Sequence, residues 1–167
     1  ALSVQQRTAF DAAIADRVLA LPMFAAARTI LSYCAVGGEV DPAAIDAAAF
    51  RLGKAVAYPL CLAEGHMEAA LPAAADALAP GRYGIPAPIP GRCRLLVPKD
   101  VDLVLVPCAA FDASCRRVGM GAGYYDRYLA RCGAFSLALA YEAQAAAQEH
   151  DVLLGAVASE NRLYWKL

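Results

Sequence analysis

The sequence predicts an α/β fold: one domain built on a largely parallel central sheet with helices on both faces. Strand and helix patterns alternate along the chain, which is typical of such sheets. Residues 102–107 form an apolar run without alternation, as expected for a parallel strand buried on both faces. The 167 residues are enough for a single domain, residues 1–167, with a core of its own.

Helix signals frame the segments between the strands. Ser3 opens a capping-box pattern, and apolar residues then recur at helical spacing until Pro22 ends the segment. A second helix is predicted to begin at residues 41–42 and to end near Gly53. A third is predicted over residues 124–132, directly after a glycine-rich loop.

Short apolar runs predict the strands. They cover residues 29–34, 56–59, 102–107, 135–141 and 153–157, and we interpret the last of these as the final central strand. Residues 72–98 contain six prolines and three glycines. That segment is therefore predicted to be mostly loop.

Composition excludes several classes of protein. Hydrophobic residues make up 60% and charged residues 19% of the chain, whereas disordered chains combine low hydrophobicity with high net charge. A net charge of −1 provides no basic surface for nucleic acid. No apolar run reaches the roughly 18–20 residues of a membrane span, and no leader pattern opens the chain. We expect no nucleic-acid or membrane partner; the oligomeric state is open, with a monomer favoured.

The six cysteines predict free thiols in a reducing compartment. Their spacings are irregular and include no CxxC pair, and a domain of this size needs no disulfide to fold. We interpret them as small hydrophobic residues. A zinc site is disfavoured because His66 and His150 lie in no cluster with ligand spacing. The expected location is the cytoplasm.

The densest chemical signal follows the strand at 102–107. Glycines at alternate positions, 119 to 123, expose backbone N–H groups, and the helix that follows favours anions at its N-terminus. Arg116 and Arg117 precede the loop, and arginine offers a charged fork that matches phosphate. The pattern is neither a P-loop nor a GxGxxG fingerprint. Spacing alone leaves two interpretations open: a nucleotide or phosphate site, or a tight strand–helix turn with solvated arginines.

The motif FDxxxxRxGMGxGYYDRYL in residues 111–129 resembles the 5-formyltetrahydrofolate cyclo-ligase family, also called methenyltetrahydrofolate synthetases. The resemblance extends over most of the chain. Residues 33–41 resemble the family's strand and loop that end in a folate-contacting glutamate, and residues 83–88 its aromatic–Ile–x–x–Pro segment. Gln144 and residues 150–151 resemble its closing glutamine and HD signature.

The resemblance implies an enzyme that converts 5-formyltetrahydrofolate to 5,10-methenyltetrahydrofolate with Mg·ATP. In that family ATP phosphorylates the formyl oxygen, N10 attacks the activated carbon, and phosphate leaves as the ring closes. The implied cofactor is Mg²⁺, with ATP as co-substrate. Phosphoryl transfer depends on positioning and charge neutralisation, which an arginine beside backbone N–H groups supplies.

Carried over by position, the resemblance assigns roles to specific residues. Arg117 and Tyr124 would be catalytic, and Asp126 and Asp151 would bind magnesium. The ATP-binding residues would be Arg117, Val118, Gly119, Met120, Gly121, Ala122, Gly123, Tyr124 and Tyr125. The folate would contact Cys34, Glu39, Tyr83, Met120, Gly121, Ala122, Gly123 and Tyr124.

Simpler structural roles compete with some of these assignments. Asp126 lies in the first turn of a predicted helix, where any carboxylate is favourable, and Tyr128 is expected in the core. Cys34 is expected to be a wall of the pocket, since no neighbour in the sequence suggests thiolate activation. If the strand at 153–157 adjoins the strand at 102–107, the carboxyl oxygens of Asp126 and Asp151 should lie within about 8 Å of each other, which leaves room for one hydrated ion.

Two departures from the family pattern bear on activity. The family usually carries a further N-terminal segment with a KxxxR pair that contacts ATP phosphates, and residues 1–167 include neither. Cys115 stands where a glycine is usual. The sequence therefore leaves open a non-catalytic nucleotide- or folate-binding relative, and a different α/β enzyme acting on a sugar phosphate or coenzyme A thioester.

Overall fold

The computed structural model describes residues 2–81, 84–119, 123–145 and 152–166. The helices in these ranges are α1 (Val4–Leu19), α2 (Pro22–Ala26), α3 (Ala43–Arg51) and α4 (Tyr124–Leu129). The strands are β1 (Thr29–Leu31), β2 (Ala55–Cys61), β3 (Met67–Pro72), β4 (Leu78–Pro80), β5 (Pro86–Pro88), β6 (Cys93–Leu96), β7 (Leu103–Pro107), β8 (Ala110–Phe111), β9 (Arg116–Val118), β10 (Phe135–Leu139), β11 (Val152–Leu153), β12 (Ala156–Ala158) and β13 (Leu163–Trp165).

An eight-stranded sheet runs in the order β13-β12-β10-β7-β1-β2-β3-β6. Its five inner strands, from β12 to β2, are parallel, and the strands at both edges are antiparallel. Smaller sheets join β11, β9 and β8, and β4 with β5. The prediction of a largely parallel α/β sheet is confirmed.

Both faces of the sheet are covered. On β7, Leu103 and Leu105 face a cluster that contains the apolar sides of α1, α2 and α3. Val104 and Val106 face the opposite cluster, which contains Phe111 and the fully buried Tyr128 of α4. The uninterrupted apolar run of β7 follows from this double burial, and Tyr128 is a core residue as expected.

The N-terminal helices follow their sequence signals closely. The Ser3 hydroxyl accepts from the Gln6 amide at 3.2 Å, and the Ser3 amide donates to the Gln6 side chain at 2.9 Å, which completes the capping box. The helix ends at Leu19, and Pro22 begins α2 at its first position, where its missing N–H costs nothing. Gly53 follows α3 with a φ of +70°.

The prediction of mostly loop over residues 72–98 missed three short strands. β4, β5 and β6 all lie within that segment, and β3 ends at its first residue. Four of its six prolines, at 72, 80, 86 and 88, stand at strand ends, and Pro80 pairs with Pro86 at one end of the β4–β5 ladder. Short edge strands tolerate proline in such places because no ladder hydrogen bond is lost.

The segment predicted as the final central strand, residues 153–157, contains parts of two strands, and only β12 belongs to the central sheet. The chain passes from β11, which pairs with β9, to β12, which pairs with β10 and not with β7. At the break the Leu154 amide donates to the Cys115 carbonyl. A Cβ at Gly155 would lie 2.7 Å from the Phe135 ring, so this close approach requires glycine.

No helix in the described part of the chain is long and apolar enough to cross a membrane. None of the six cysteines forms a disulfide, as predicted.

A buried carboxyl links α3 to β2. The Tyr58 hydroxyl donates to Asp46 Oδ2 at 2.8 Å, and Asp46 is 7% exposed. Burial raises the pKa of Asp46, while the hydrogen bond from Tyr58 opposes the shift. Because the pKa is higher in the folded state than in the unfolded chain, the folded state is penalised as the pH rises through the folded pKa.

We therefore expect Asp46→Asn to gain stability relative to the unmodified protein as the pH rises. The amide keeps an acceptor for Tyr58 and cannot ionise. Urea unfolding at about pH 4.5 and pH 7.5 measures the difference. Asp16→Asn, at an exposed position on α1, is the control and should show no such trend. An Asp46→Asn protein that loses stability with rising pH would contradict this account.

Candidate active site at the carboxyl ends of the central strands

The candidate residues meet where the parallel strands end. β1 leads into residues 32–41, and β7 ends at Pro107. β9 leads into the glycine-rich loop and α4. Open α/β sheets place ligands outside the carboxyl ends of their strands, which makes this edge the candidate site.

Arg117 is a buried cation at this edge. Its side chain is 5% exposed; Nη1 donates to the Pro107 carbonyl at 3.0 Å, and Nη2 donates to Asp126 Oδ1 at 2.9 Å. The guanidinium also lies over the Tyr125 ring, 5.7 Å from its centroid. Its Nε atom is buried without a hydrogen-bond partner among the described residues. The two arginines of the motif therefore differ, since Arg116 is half exposed and 3.7 Å from Asp112.

The backbone of β9 fixes this cation from both sides. Arg117 is paired with Phe111 of β8 and with Val152 of β11. The hairpin that leads into β9 turns at Cys115, whose φ is +65°. This left-handed conformation favours glycine, which explains why a glycine is usual there; the cysteine keeps the same turn.

Two glycines near Arg117 are explained by local geometry. A Cβ at Gly119 would lie 2.8 Å from Arg117 Nη1, so a side chain there would push the guanidinium off Pro107 and Asp126. Gly123 begins α4 with a φ of +67°, a conformation that other residues adopt at a cost. Met120, Gly121 and Ala122 lie outside the described residues.

Glu39 belongs to a tight turn after β1. Its Oε2 atom accepts from the Val36 amide at 2.9 Å, and its own amide donates to the Val36 carbonyl at 3.1 Å. Burial raises the pKa of the Glu39 carboxyl, while the Val36 hydrogen bond and the Arg117 charge oppose the shift. Arg117 therefore acts on Glu39 across the site. The Oε1 atom has no donor among the described residues.

The Tyr125 side chain, more than that of Tyr124, reaches the centre of the site. Its hydroxyl is out of contact with solvent and has no partner among the described residues. Desolvation raises the pKa of Tyr125, opposed by Arg117, and Glu39 and Cys34 also act on it. Both tyrosines pack, partly buried, against the apolar cluster that contains Phe111, but only Tyr125 also lies against the Arg117 guanidinium. A buried unpaired hydroxyl costs about 1–3 kcal/mol, which a ligand acceptor would recover.

Cys34 follows β1 and is half buried. Burial raises the pKa of its thiol, and the carboxylates of Asp46 and Asp41 raise it further. A thiol of this kind stays protonated near neutral pH and is a poor nucleophile. Cys34 packs against the core cluster that contains Tyr33 and Ile45, and its place in a pocket wall stays a prediction.

The Asp126 carboxylate contacts both Arg117 and solvent. Its Oδ1 atom accepts from Arg117, and the side chain is 43% exposed. Within the described ranges no group of three or more His, Cys, Asp or Glu side chains is arranged to hold a metal. Asp151 and Tyr83 lie outside the described residues, so the predicted separation of the two aspartates is not tested. The condition attached to it, β12 beside β7, does not hold, although Val152 is paired with Arg117.

Sequence reasoning missed the residues that hold the Glu39 turn. Tyr141 donates its hydroxyl to Asp11 Oδ1 at 2.7 Å, and Arg7 Nη1 donates to the Gly37 carbonyl at 3.1 Å. The four-residue spacing of Arg7 and Asp11 on α1 was the available signal. Gln144, a candidate from the sequence motif, has a structural role: its amide nitrogen donates to the Cys108 carbonyl at 2.6 Å.

Comparisons with known proteins identify the family of this chain. The profile of the 5-formyltetrahydrofolate cyclo-ligase family matches residues 1–159. The chain is 27% identical to the mouse 5-formyltetrahydrofolate cyclo-ligase, an alignment covering 96% of this chain and 87% of the mouse protein. It is 28% identical to the Escherichia coli K12 protein of the same name, over 77% of this chain and 72% of that protein.

A solved structure shares the whole architecture. The solution structure of Aquifex aeolicus 5,10-methenyltetrahydrofolate synthetase superposes with a TM-score of 0.85 at 26% identity, covering 98% of this chain and 84% of the other. A profile match over nearly the whole chain and this agreement in fold confirm the resemblance predicted from the residues. The chain belongs to the 5-formyltetrahydrofolate cyclo-ligase family of enzymes.

Proposed function

We propose that this protein converts 5-formyltetrahydrofolate to 5,10-methenyltetrahydrofolate and that it uses ATP to do so, releasing ADP and phosphate. The observation that carries the proposal is the meeting of Glu39, Tyr125, Arg117 and Asp126 at one edge of the sheet, beside a glycine-rich loop. These groups combine an anion-binding element with polar groups able to orient a heterocycle.

The proposed reaction has two steps that share one site. The γ-phosphoryl group of ATP passes to the formyl oxygen and ADP is released. N10 then attacks the activated carbon, the carbon–oxygen bond breaks as phosphate leaves, and N10 loses its proton. Both steps develop negative charge on phosphate oxygens, and a fixed cation stabilises such charge without reorganising.

Arg117 is proposed as that cation. Its guanidinium is held by Pro107 and Asp126, and its unpaired N–H groups remain available to a ligand. Residues 117–125 would hold ATP. Gly119 keeps the backbone close to the guanidinium, which supports the proposed role of this loop in binding phosphate.

The folate is proposed to lie on the Glu39 side of Arg117. The free Oε1 of Glu39 would accept an N–H of the pterin, and Cys34 would form part of the wall. Residues 120–124 and Tyr83 would also contact the folate. Tyr125, with its unpaired hydroxyl, lies between the proposed nucleotide and folate sides.

Asp126 is proposed as a magnesium ligand, with Asp151 as the second. Magnesium usually keeps several waters and takes one or two protein carboxylates together with phosphate oxygens. The half-exposed carboxylate of Asp126, with one oxygen on Arg117, fits a single ligand of this kind. When bound, the ion would neutralise phosphate charge that Arg117 alone leaves unbalanced. We also propose a cytoplasmic location, which the lack of disulfides among the six cysteines supports.

The test of the function is a turnover assay. Purified protein with 5-formyltetrahydrofolate and Mg·ATP should produce the absorbance of the methenyl product together with ADP in equal amounts. Omitting ATP, or chelating magnesium, should abolish the signal. Binding of both ligands without turnover would instead support a non-catalytic relative. Binding of sugar phosphates in preference to folate would overturn the proposal.

Replacing Arg117 should reduce turnover far more than replacing its neighbour. Arg117→Lys keeps the charge but loses the fork that spans Pro107 and Asp126, and we expect kcat to fall on the order of 10²–10³-fold. Arg116→Ala is the matched control, because that side chain is half exposed, and it should change kcat less than about twofold.

Thermal unfolding and circular dichroism separate chemistry from folding in this pair, since Arg117 is also buried. An Arg117→Lys protein that remains folded and turns over at the rate of the unmodified protein would remove Arg117 from catalysis.

Glu39→Gln should weaken folate binding and spare the nucleotide. The amide can still accept from Val36 but loses the charge, so the folate KM should rise about ten- to a hundredfold. Because burial raises the pKa of Glu39, the unmodified protein should lose folate affinity on acidification above the usual glutamate range, as the carboxylate gains a proton. The folate affinity of Glu39→Gln should not fall in this way on acidification.

Steady-state kinetics from about pH 5 to pH 8 measure both effects. Glu64→Gln, at an exposed position, is the control. A rise in the ATP KM alone would contradict the assignment of Glu39 to the folate.

A further inference from the structure

The loop that carries Glu39 is held by hydrogen bonds more than by packing. We call residues 35–40 the Glu39 loop, and Gly37 and Gly38 at its tip are exposed. A cavity of about 270 Å³ lies beside the tip, lined by Leu2, Arg7, Gly38, Tyr141, Ala143 and Gln144. A Cβ built at Gly37 or at Gly38 would have no described atom within 4 Å. The position of the tip therefore depends on polar contacts from α1 and from Tyr141, which follows β10.

Those contacts come from two α1 residues one turn apart. Arg7 Nη1 donates to the Gly37 carbonyl at 3.1 Å. Asp11 Oδ1 accepts from the Tyr141 hydroxyl at 2.7 Å and, at a longer 3.4 Å, from the Asp41 amide just beyond the loop. Tyr141 in turn lies 3.5 Å from the Glu39 carbonyl. Each group therefore reaches the loop directly or through one intermediary.

The far end of the loop is fixed separately. The buried Tyr33 hydroxyl donates to the Val40 carbonyl at 2.7 Å. Within the loop, Val36 and Glu39 close the turn on each other. The internal turn closes the loop on itself, and the α1 contacts hold the closed loop in its place relative to Arg117.

We propose that Arg7 and Asp11 are positioning residues that hold the Glu39 loop so that the Glu39 carboxylate faces the site of Arg117. The proposal rests on the proposed function only for the role of Glu39 in binding folate. The contacts of Arg7 and Asp11 with the loop do not depend on that function. Asp11 acts through Tyr141 and Asp41, and Arg7 acts through Gly37. Neither residue needs to touch the substrate.

These side chains are not needed to attach α1 to the sheet. The fully buried residues Ile14 and Val18 anchor the helix, while Arg7 and Asp11 are partly exposed. Removing either polar group should leave the helix in place and free the loop. The expected result is a change in folate binding without a comparable loss of fold.

The first experiment measures the loop itself, without activity. Asp11→Ala should speed amide hydrogen exchange at Val36 and Glu39, because the loop then samples open positions. Asp11→Asn should restore slow exchange, since its amide oxygen still accepts from Tyr141. Asp16→Ala, an exposed aspartate on the same helix, is the control. Unchanged exchange in Asp11→Ala overturns the proposal, whatever the enzyme does.

The second experiment tests the coupling to Glu39. Losing one hydrogen bond should raise the folate KM of Asp11→Ala about two- to tenfold, with kcat and the ATP KM nearly unchanged. In a Glu39→Gln background the same change should have little further effect, because both act on one interaction. Arg7→Ala should behave in the same way.

Other outcomes decide against the proposal. Additive effects of Asp11→Ala and Glu39→Gln would show that Asp11 acts elsewhere, and a rise in the ATP KM for Arg7→Ala would make Arg7 a nucleotide contact. If the unmodified protein shows no turnover, equilibrium binding of 5-formyltetrahydrofolate replaces KM. Faster exchange with unchanged folate affinity would then overturn the link to the substrate while leaving the contacts in place.

Discussion

The buried guanidinium of Arg117 is the interaction on which the rest of the site depends. A cation that is 5% exposed is costly unless charged and polar partners surround it. Asp126 supplies the opposite charge, the carbonyl at the end of β7 supplies an acceptor, and the ring of Tyr125 covers one face. These partners come from β7 of the eight-stranded sheet and from α4, whereas Arg117 itself lies on β9. The contacts of Arg117 therefore fix how the β11-β9-β8 sheet packs against the eight-stranded sheet.

Several local features follow from that one placement. A Cβ at position 119 would lie 2.8 Å from Arg117 Nη1, so a side chain there would displace the guanidinium. Position 115 takes a left-handed turn that leads β9 in between β8 and β11. One oxygen of Asp126 accepts from Arg117, and the side chain is partly exposed to solvent. The site therefore holds a buried cation that one carboxylate balances, and the Nε atom of that cation has no hydrogen-bond partner among the described residues.

Sequence reasoning recovered the parts of the molecule governed by local rules. The capping box at Ser3, the doubly buried β7 and the core position of Tyr128 all follow from periodicity and capping, and the motif at residues 111–129 identified the family. It failed where tertiary pairing decided. Proline-rich residues formed β4 and β5 because each strand found a partner at an edge, and β11 left the central sheet to pair with Arg117. Asp11 and Tyr141, which are 130 residues apart, carried no joint signal in the sequence.

This part of the molecule holds one buried carboxyl group, Asp46, and one half-buried carboxyl group, Glu39, and burial raises the pKa of both. Asp46 has a tyrosine hydroxyl as its donor and another carboxylate nearby, so burial favours its neutral form. Glu39 has a backbone N–H and the field of Arg117, both of which favour the charged form against the same burial. One Glu39 oxygen accepts from Val36, and the other has no donor among the described residues. An acceptor of this kind, in a loop whose tip is exposed, can serve a ligand only if the loop is placed accurately. We propose that this placement comes from α1, the helix most distant in sequence from the glycine-rich motif.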